Sequence, residues 1–213
     1  MPEARHLSRL FEEGCARTPE NVVLMTSAGK EGFTEVTYRQ LQAEVQAWAE
    51  VLRERGVKAG DRVAAIANKS QNHFRFFYAC WRLGAVAVPV CESLGNEEMA
   101  FVISDCKPAL ILTEKAFFEK ATKCACGLPV LDWAELPVGM APGEVKPAEL
   151  PYADEDEALD SNAVFIYTSG STGLPKGVVL THRNIWWNMW SALEAFRVGE
   201  TDRLISLLPY WHA

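Results

Sequence analysis

Residues 163–181 read AVFIYTSGSTGLPKGVVLT, two apolar runs on either side of a short loop rich in glycine and hydroxyl groups. Glycines allow backbone amides to approach a ligand closely. The loop also supplies hydroxyls and one cation, at Thr168, Ser169, Ser171, Thr172 and Lys176. Such donors around one small loop favour a polyphosphate, since hydrogen bonds to charged groups contribute about 1.5–3 kcal/mol each. Because both flanking runs are expected to be β-strands, a flexible Gly/Ser linker is the weaker interpretation.

The stretch does not match the loop of P-loop NTPases, which reads G-x-x-x-x-G-K-[ST]. Counted from Gly170, Pro175 precedes the lysine where glycine is needed, and Gly177 follows it where serine or threonine is needed. The NTPase loop also leads from a strand into a helix rather than into a second strand. Residues 167–178, the phosphate loop below, are therefore predicted to bind phosphate in another way.

Outward from this loop, helix-like and strand-like patterns alternate. The clearest predicted helix covers residues 37–55, with a Thr37–Gln40 capping box and the apolar stripe Leu41, Val45, Trp48 and Leu52. A second helix is expected to begin at a Ser70 cap, end at Gly84 and bury Phe74, Phe77 and Trp81.

Further helices are predicted over residues 97–104, 114–123 and 183–196, the last burying Ile185, Met189 and Leu193. Strands are predicted over residues 62–67, 85–90, 109–113, 129–132, 163–168 and 178–181. Pro89 places the second of these at an edge or at a strand end. This alternation predicts an α/β protein with a mainly parallel sheet layered with helices.

Residues 133–162 break the alternation, because they contain four prolines followed by an acidic run from Asp154 to Asp160. Proline sustains neither a helix nor a central strand, so we expect a surface crossing segment here. The acidic run is interpreted as a solvated face rather than a metal site. Cys124 and Cys126 lack a second ligand pair nearby and are interpreted as structural thiols rather than a zinc site.

The amino-acid composition and net charge limit the class of protein, the partners and the cellular location that we expect. Hydrophobic residues make up 49% and charged residues 23% of the 213 residues, as in soluble globular proteins. The net charge of −7 argues against nucleic acid or anionic lipid as a partner. No apolar run approaches the roughly 18 residues that a membrane helix requires, and residues 1–6 lack the apolar core of a signal peptide. Six cysteines without such a signal favour a cytoplasmic location.

The stretch YTSGSTGLPKG resembles the signature phosphate loop of the adenylate-forming, or AMP-binding, superfamily, which includes acyl-CoA synthetases, luciferases and nonribosomal-peptide adenylation domains. Other segments resemble family motifs in the expected order, so the resemblance covers nearly the whole chain. They are TYRQL (37–41), GVKAGDRV (56–63), LGAVAVPV (83–90), THRN (181–184) and LPYWHA (208–213). The resemblance implies that residues 1–213 are the N-terminal portion of the AMP-binding domain.

The resemblance also implies site roles. Thr168, Ser169, Gly170, Ser171, Thr172, Gly173 and Lys176 would bind the β- and γ-phosphates of ATP. Lys176 would also act catalytically, by stabilising the pyrophosphate that leaves. Thr168 would face Mg²⁺, and His212 would lie near the acyl carboxylate and the thioester site. ATP, Mg²⁺ and coenzyme A are the implied cofactors and substrates, together with a carboxylic acid.

Residues 209–212, PYWH, lack the acidic residue that amino-acid-activating relatives place in this motif. We therefore expect an acid–thiol ligase for a fatty, aryl or other simple carboxylic acid. Segments that in relatives stack on adenine, bind metal and ribose and carry the adenylation lysine would lie beyond Ala213, so we expect little activity from this chain alone and self-association through an exposed apolar face. Two alternatives stay open, a noncatalytic nucleotide- or partner-binding remnant and part of an amino-acid adenylation domain.

Overall fold

The computed structural model of the chain describes residues 3–139, 145–168, 174–199 and 201–211. Helices and strands alternate over most of this length, after an N-terminal helix and hairpin that the sequence patterns did not predict. In chain order they are α1 (Leu7–Arg17), β1 (Val22–Ser27), β2 (Phe33–Thr37), α2 (Tyr38–Glu54), β3 (Arg62–Ile66), α3 (Asn72–Arg82), β4 (Val86–Val90), α4 (Asn96–Cys106), β5 (Leu110–Thr113), α5 (Phe118–Cys124), β6 (Val130–Asp132), α6 (Glu155–Asp160), β7 (Asn162–Thr168), β8 (Lys176–Thr181) and α7 (His182–Phe196).

The main sheet has the strand order β6-β5-β3-β4-β7-β8. Neighbouring strands from β6 to β7 run parallel, and only the β7–β8 pair in this order is antiparallel. Helices α2 and α3 pack on one face of this sheet, and α4 and α5 pack on the other. The predicted α/β fold with a mainly parallel sheet is confirmed. Strands β1 and β2 form a separate antiparallel pair.

Helix α2 forms as its sequence predicts. The backbone N–H of Gln40 donates to Thr37 Oγ1 at 3.2 Å, and the backbone N–H of Thr37 donates to Gln40 Oε1 at 2.8 Å, which completes the capping box. The predicted apolar stripe is buried at all four of its positions, Leu41, Val45, Trp48 and Leu52. Burying a large apolar side chain contributes about 1.5–3 kcal/mol, so Trp48 and Leu52 fix α2 on the sheet. The other two positions of the stripe pack against α1 and the β1–β2 pair.

Two predictions made for helix α3 are wrong. It begins at Asn72 after Gln71, and Ser70 provides no side-chain cap. Phe76 is fully buried, whereas Phe74 and Phe77, which were predicted to be buried, are only partly so. Phe76 lies on the face of α3 that packs against the sheet, whereas Phe74 contacts the cluster formed by α1, α2 and the β1–β2 pair. No propensity signal distinguishes three phenylalanines within four positions.

Of the two predicted placements of Pro89, the edge is wrong, because β4 lies between β3 and β7 and is buried along its length. Pro89 is the last residue but one of β4, which agrees with the predicted strand end. The backbone N–H of Val86 donates to Asp61 on the β3 side. Since successive residues of a strand alternate in direction, the nitrogen of Pro89 faces β7. On that side Ala87 of β4 pairs with Val164 of β7. The missing N–H of Pro89 therefore does not interrupt this pairing between the two strands.

In the segment predicted to be a surface crossing, residues 133–139 are partly buried rather than fully exposed. A 3₁₀ turn begins at Trp133, and the side chains of Trp133 and Leu136 are both 3% exposed. Buried Glu44 of α2 accepts a hydrogen bond from the backbone N–H of Gly139 at 2.6 Å. Buried Glu44 of α2 therefore helps to hold residues 133–139 in place.

The acidic run forms the short helix α6. Four of its five carboxylates are exposed, consistent with a solvated face: Asp154, Asp156, Glu157 and Asp160. Glu155 is the exception, because it accepts from the backbone N–H of His6 at 2.6 Å and pairs with Arg9. Arg183 of α7 pairs with Asp160 at 2.6 Å, so α6 links α1 to α7.

Helix α7 is less buried than predicted. Trp186 is 3% exposed, whereas the residues predicted to be buried, Ile185, Met189 and Leu193, are only partly so. Apolar side chains stay exposed on α7, on β8 and in the segment that follows, namely Val178, Val179, Trp187, Phe196, Leu204, Ile205, Leu207 and Leu208. The expected exposed apolar surface is therefore present; self-association through it stays a prediction.

Two buried histidines meet where α1, α6 and α7 come together. The rings of His6 and His182 lie 3.6 Å apart between centroids, and both side chains are fully buried. Among the described residues, His6 Nε2 and both ring nitrogens of His182 have no hydrogen-bond partner. Burial, assisted by Arg9, lowers the pKa of His6 to about 4, and burial next to His6 lowers that of His182 to about 2. Both rings are therefore neutral near pH 7.

We predict that this packing makes the fold acid-sensitive. Each folded pKa lies below the unfolded value near 6.5, so the stabilisation is complete above pH ~6.5 and is lost as the pH falls toward the folded value. Over this range each histidine lowers the free energy of unfolding by about 1.4 kcal/mol for each pH unit of acidification. Buried His73, with a pKa lowered to about 4, acts in the same direction.

Urea unfolding between about pH 7.5 and pH 5 measures this dependence as protons taken up on unfolding. The His182→Asn variant should take up about one proton fewer than the wild type near pH 5.5, whatever its absolute stability. Equal pH slopes for the two proteins would mean that His182 is already charged in the folded state.

Candidate active site

The chain leaves the paired carboxyl ends of β3 and β4 toward opposite faces of the sheet, a topology that forms a crevice between the two connecting loops. Helix α3 leaves β3 toward one face, where Phe76 packs, and α4 leaves β4 toward the other face, where Met99 packs. Ligands of open α/β sheets bind outside the carboxyl ends of strands at such a switch point. The loops after β3 (residues 67–71) and β4 (residues 91–95) are its two lips.

The phosphate loop lies beside this crevice, because β7 pairs with β4 and ends at the same edge of the sheet. Strand β8 returns antiparallel, with Thr168 directly opposite Lys176. The two strands flanking the loop are thus confirmed, and the loop is closed by the last residue of one strand and the first of the next. Both side chains are exposed at its mouth, which leaves a hydroxyl and an ammonium available to a ligand.

Tyr167 and Gly177 lock the base of this hairpin. They are opposite each other in the register, and the tyrosine ring crosses the glycine so closely that a Cβ at position 177 would lie 3.1 Å from ring atom Cζ. The hydroxyl of Tyr167 donates to Asp105 of α4 at 2.6 Å. Burial, together with Asp105, raises the pKa of this hydroxyl well above its usual value. The ring therefore joins the hairpin to α4 as a neutral donor.

Of the sequence-predicted site residues, Thr168 and Lys176 are the two that the structure describes, and the register brings them together. Ser169, Gly170, Ser171, Thr172 and Gly173 lie outside the described residues, as does His212. An exposed ammonium and hydroxyl are donors of the kind that bind phosphate oxygens, and a hydroxyl oxygen is a ligand of the kind that Mg²⁺ takes. Within the described ranges no group of three or more His, Cys, Asp or Glu side chains could hold a metal ion.

Sequence reasoning missed residues that surround the crevice. The segment 206–211 lies across it, where Lys69 donates to the Ser206 carbonyl and Glu92 accepts from the Trp211 indole N–H at 2.9 Å. Tyr210 packs against α3, with its ring 5.5 Å from that of Phe74. The sequence carries one signal that could have found them. Lys69 and Glu92 are charged residues that come just after two strands, β3 and β4, that lie side by side in the sheet.

Comparisons with known proteins agree on one family. Residues 11–213 match the family model described as AMP-binding enzyme. The chain is 31% identical over 188 residues to feruloyl-CoA synthase from Amycolatopsis sp, covering 88% of this chain and 36% of that protein. It is 34% identical over 184 residues to the long-chain-fatty-acid–CoA ligase FadD13 of Mycobacterium tuberculosis, covering 83% and 36%. It is 31% identical over 204 residues to a dimodular nonribosomal peptide synthase of Bacillus subtilis, covering 94% and 8%.

Solved structures show the same relationship. O-succinylbenzoate coenzyme A synthetase (MenE) from Bacillus subtilis, in complex with AMP, superposes with a TM-score of 0.79 at 27% identity, covering 95% of this chain and 49% of that one. Apo MatB from Rhodopseudomonas palustris gives a TM-score of 0.76 at 25% identity, covering 96% and 41%. The chain therefore spans about half or less of the proteins it matches. No described helix is long and apolar enough to cross a membrane.

The crossing of Tyr167 over Gly177 predicts that Gly177→Ala destabilises the hairpin. The added methyl would overlap the ring, and crowding of this kind costs about 1–3 kcal/mol. Chemical denaturation measures the change. Gly14→Ala is the matched control, since its Cβ would make only an ordinary contact 3.8 Å from Tyr38 within a helix. Equal stabilities for Gly177→Ala and wild type would show that the ring does not lie over the glycine in solution.

Proposed function

Since the chain belongs to the AMP-binding enzyme family, we propose that it is the N-terminal part of an ATP-dependent acid–CoA ligase. The complete enzyme would join a carboxylic acid to coenzyme A through an acyl-adenylate. The observation that carries the proposal is the β7–β8 register, which places Thr168 and Lys176 on either side of the phosphate loop. The chain covers 36% of the curated CoA ligases it matches, so the remaining parts of the site would come from sequence beyond these residues.

The proposed reaction has two steps. The carboxylate oxygen of the acid attacks the α-phosphorus of ATP, the bond to the β-phosphate oxygen breaks, and pyrophosphate leaves. The thiolate of coenzyme A then attacks the acyl carbon, which forms a thioester and releases AMP. In the first step negative charge grows on the leaving pyrophosphate, and a fixed cation next to it lowers the barrier.

Each described residue has a defined part in the first step. Lys176 would neutralise charge on the β- and γ-phosphates, and its position at the start of β8 keeps it at the mouth of the loop. Thr168 would donate from the end of β7 and provide one oxygen ligand for Mg²⁺. When bound, Mg²⁺ would neutralise and orient the triphosphate. The roles proposed for Ser169–Gly173 as phosphate donors and for His212 near the acyl carboxylate follow from their motif positions.

We propose a simple aryl or fatty acid as the substrate class. Feruloyl-CoA synthase and FadD13 are named for acids of these two kinds, and both are about one third identical to this chain. Tyr210 and Trp211 add aromatic surface beside the crevice and no carboxylate that would pair with a substrate ammonium group. The similarity to the dimodular nonribosomal peptide synthase supports the second candidate, an amino-acid adenylation domain.

ATP–pyrophosphate exchange by the full-length ligase tests the function. We predict exchange with aryl or fatty acids and little with amino acids. Exchange that depends on an amino acid would favour the adenylation domain. Nucleotide binding without exchange for any acid would favour a noncatalytic remnant.

In the same assay, Lys176→Ala should slow exchange about 100-fold, because it removes one preorganised charge from the leaving group. Lys115→Ala is the matched control, since Lys115 is an exposed lysine on a turn after β5. Exchange by Lys176→Ala as fast as by the control would remove the assigned role of the phosphate loop lysine.

A further inference from the structure

The segment 206–211 is held in place by few interactions. It contains neither helix nor strand among its described residues, and Leu207 and Leu208 are 80% and 67% exposed. Segments with few buried contacts open easily unless specific bonds restrain them. The charged contacts at its two ends therefore act together with the packing of the Tyr210 ring against α3 to decide where it lies.

One contact comes from the lip after β3. The ammonium of Lys69 donates to the carbonyl of Ser206 and lies 5.1 Å from the centroid of the Tyr210 ring. A cation placed over an aromatic face is attracted by the ring electrons. One side chain thus contacts both the start of the segment and its aromatic residue.

The other contact comes from the lip after β4. Glu92 accepts from the indole N–H of Trp211 at 2.9 Å. The loop that carries Glu92 is itself restrained, because Lys120 of α5 donates to the carbonyl of Glu92 at 2.9 Å and to that of Leu94. The carboxylate is therefore presented from a fixed loop rather than from a mobile one.

We propose that Lys69 and Glu92 are positioning residues, which clamp the segment 206–211 from the two lips of the crevice and so orient Tyr210 and Trp211. The inference rests on the proposed function, in which the aromatic surface of these two residues lies beside the acid. It requires the clamp to act on acid binding rather than on ATP binding, because Thr168 and Lys176 belong to the separate β7–β8 hairpin.

The first test follows the Trp211 indole N–H by ¹⁵N NMR in the 213-residue chain, with Trp211→Phe to assign the resonance. In Glu92→Gln the resonance should shift and its hydrogen exchange should quicken about tenfold, because a bond to a charged acceptor becomes a neutral one. Glu97→Gln is the matched control, since it removes the same charge from an exposed residue of α4. An unchanged resonance in Glu92→Gln, with the thermal midpoint also unchanged, would overturn the clamp.

The second test separates the clamp from the proposed function. In the full-length ligase, Glu92→Gln and Lys69→Met should raise the KM for the acid about tenfold and leave the KM for ATP unchanged, and Lys69→Arg should restore it because arginine keeps the charge and the donor. Wild-type KM values in both variants would overturn the positioning role even if the NMR result stands. A wild-type enzyme that activates no acid would refute the proposed function, and the NMR result would then decide the clamp alone.

Discussion

The antiparallel pairing of β8 with β7 is the constraint on which the candidate site depends. The other recorded pairings in this sheet are parallel, and parallel neighbours need a long crossover between them. Because β8 runs back along β7, Lys176 lies opposite Thr168 at the carboxyl edge of the sheet. Without this reversal, the hydroxyls and the lysine of the phosphate loop would have no common place in the fold.

The rest of the molecule supports that reversal. Strand β7 pairs with the buried strand β4, and Tyr167 joins the hairpin to α4 through Asp105. On the opposite face, the indole N–H of Trp81 donates to the carbonyl of Ala163 at 3.0 Å, which fixes the start of β7 to α3. The hairpin is therefore held by packing on both faces of the sheet, whereas the mouth of the loop stays open to solvent.

Much of this could be predicted from sequence where a local pattern matched its surroundings. The α2 stripe and its capping box, the strand–helix alternation and the two strands beside the phosphate loop follow from periodicity. The burial of Pro89 could not be predicted, because it depends on which neighbour its nitrogen faces. The choice of Phe76 over Phe74 and Phe77 depends on which face of α3 meets the sheet, which is set by tertiary packing.

The candidate site likewise contains some residues that the sequence could associate and others that it could not. Thr168 and Lys176 belong to one contiguous motif, so sequence alone could associate them. Lys69, Glu92 and Trp211 come from three segments far apart in the chain and meet only because the sheet brings the ends of β3 and β4 together. His6 and His182 are likewise joined only by the packing of α1 against α7.

A crystal structure of the full-length protein with an ATP analogue and Mg²⁺ tests the central claim most directly. The account predicts the β- and γ-phosphates within the closed loop, with a phosphate oxygen at hydrogen-bond distance, about 2.7–3.2 Å, from Lys176 Nζ and another near Thr168 Oγ1. A triphosphate bound elsewhere on the sheet edge, with Lys176 pointing to solvent, would contradict it.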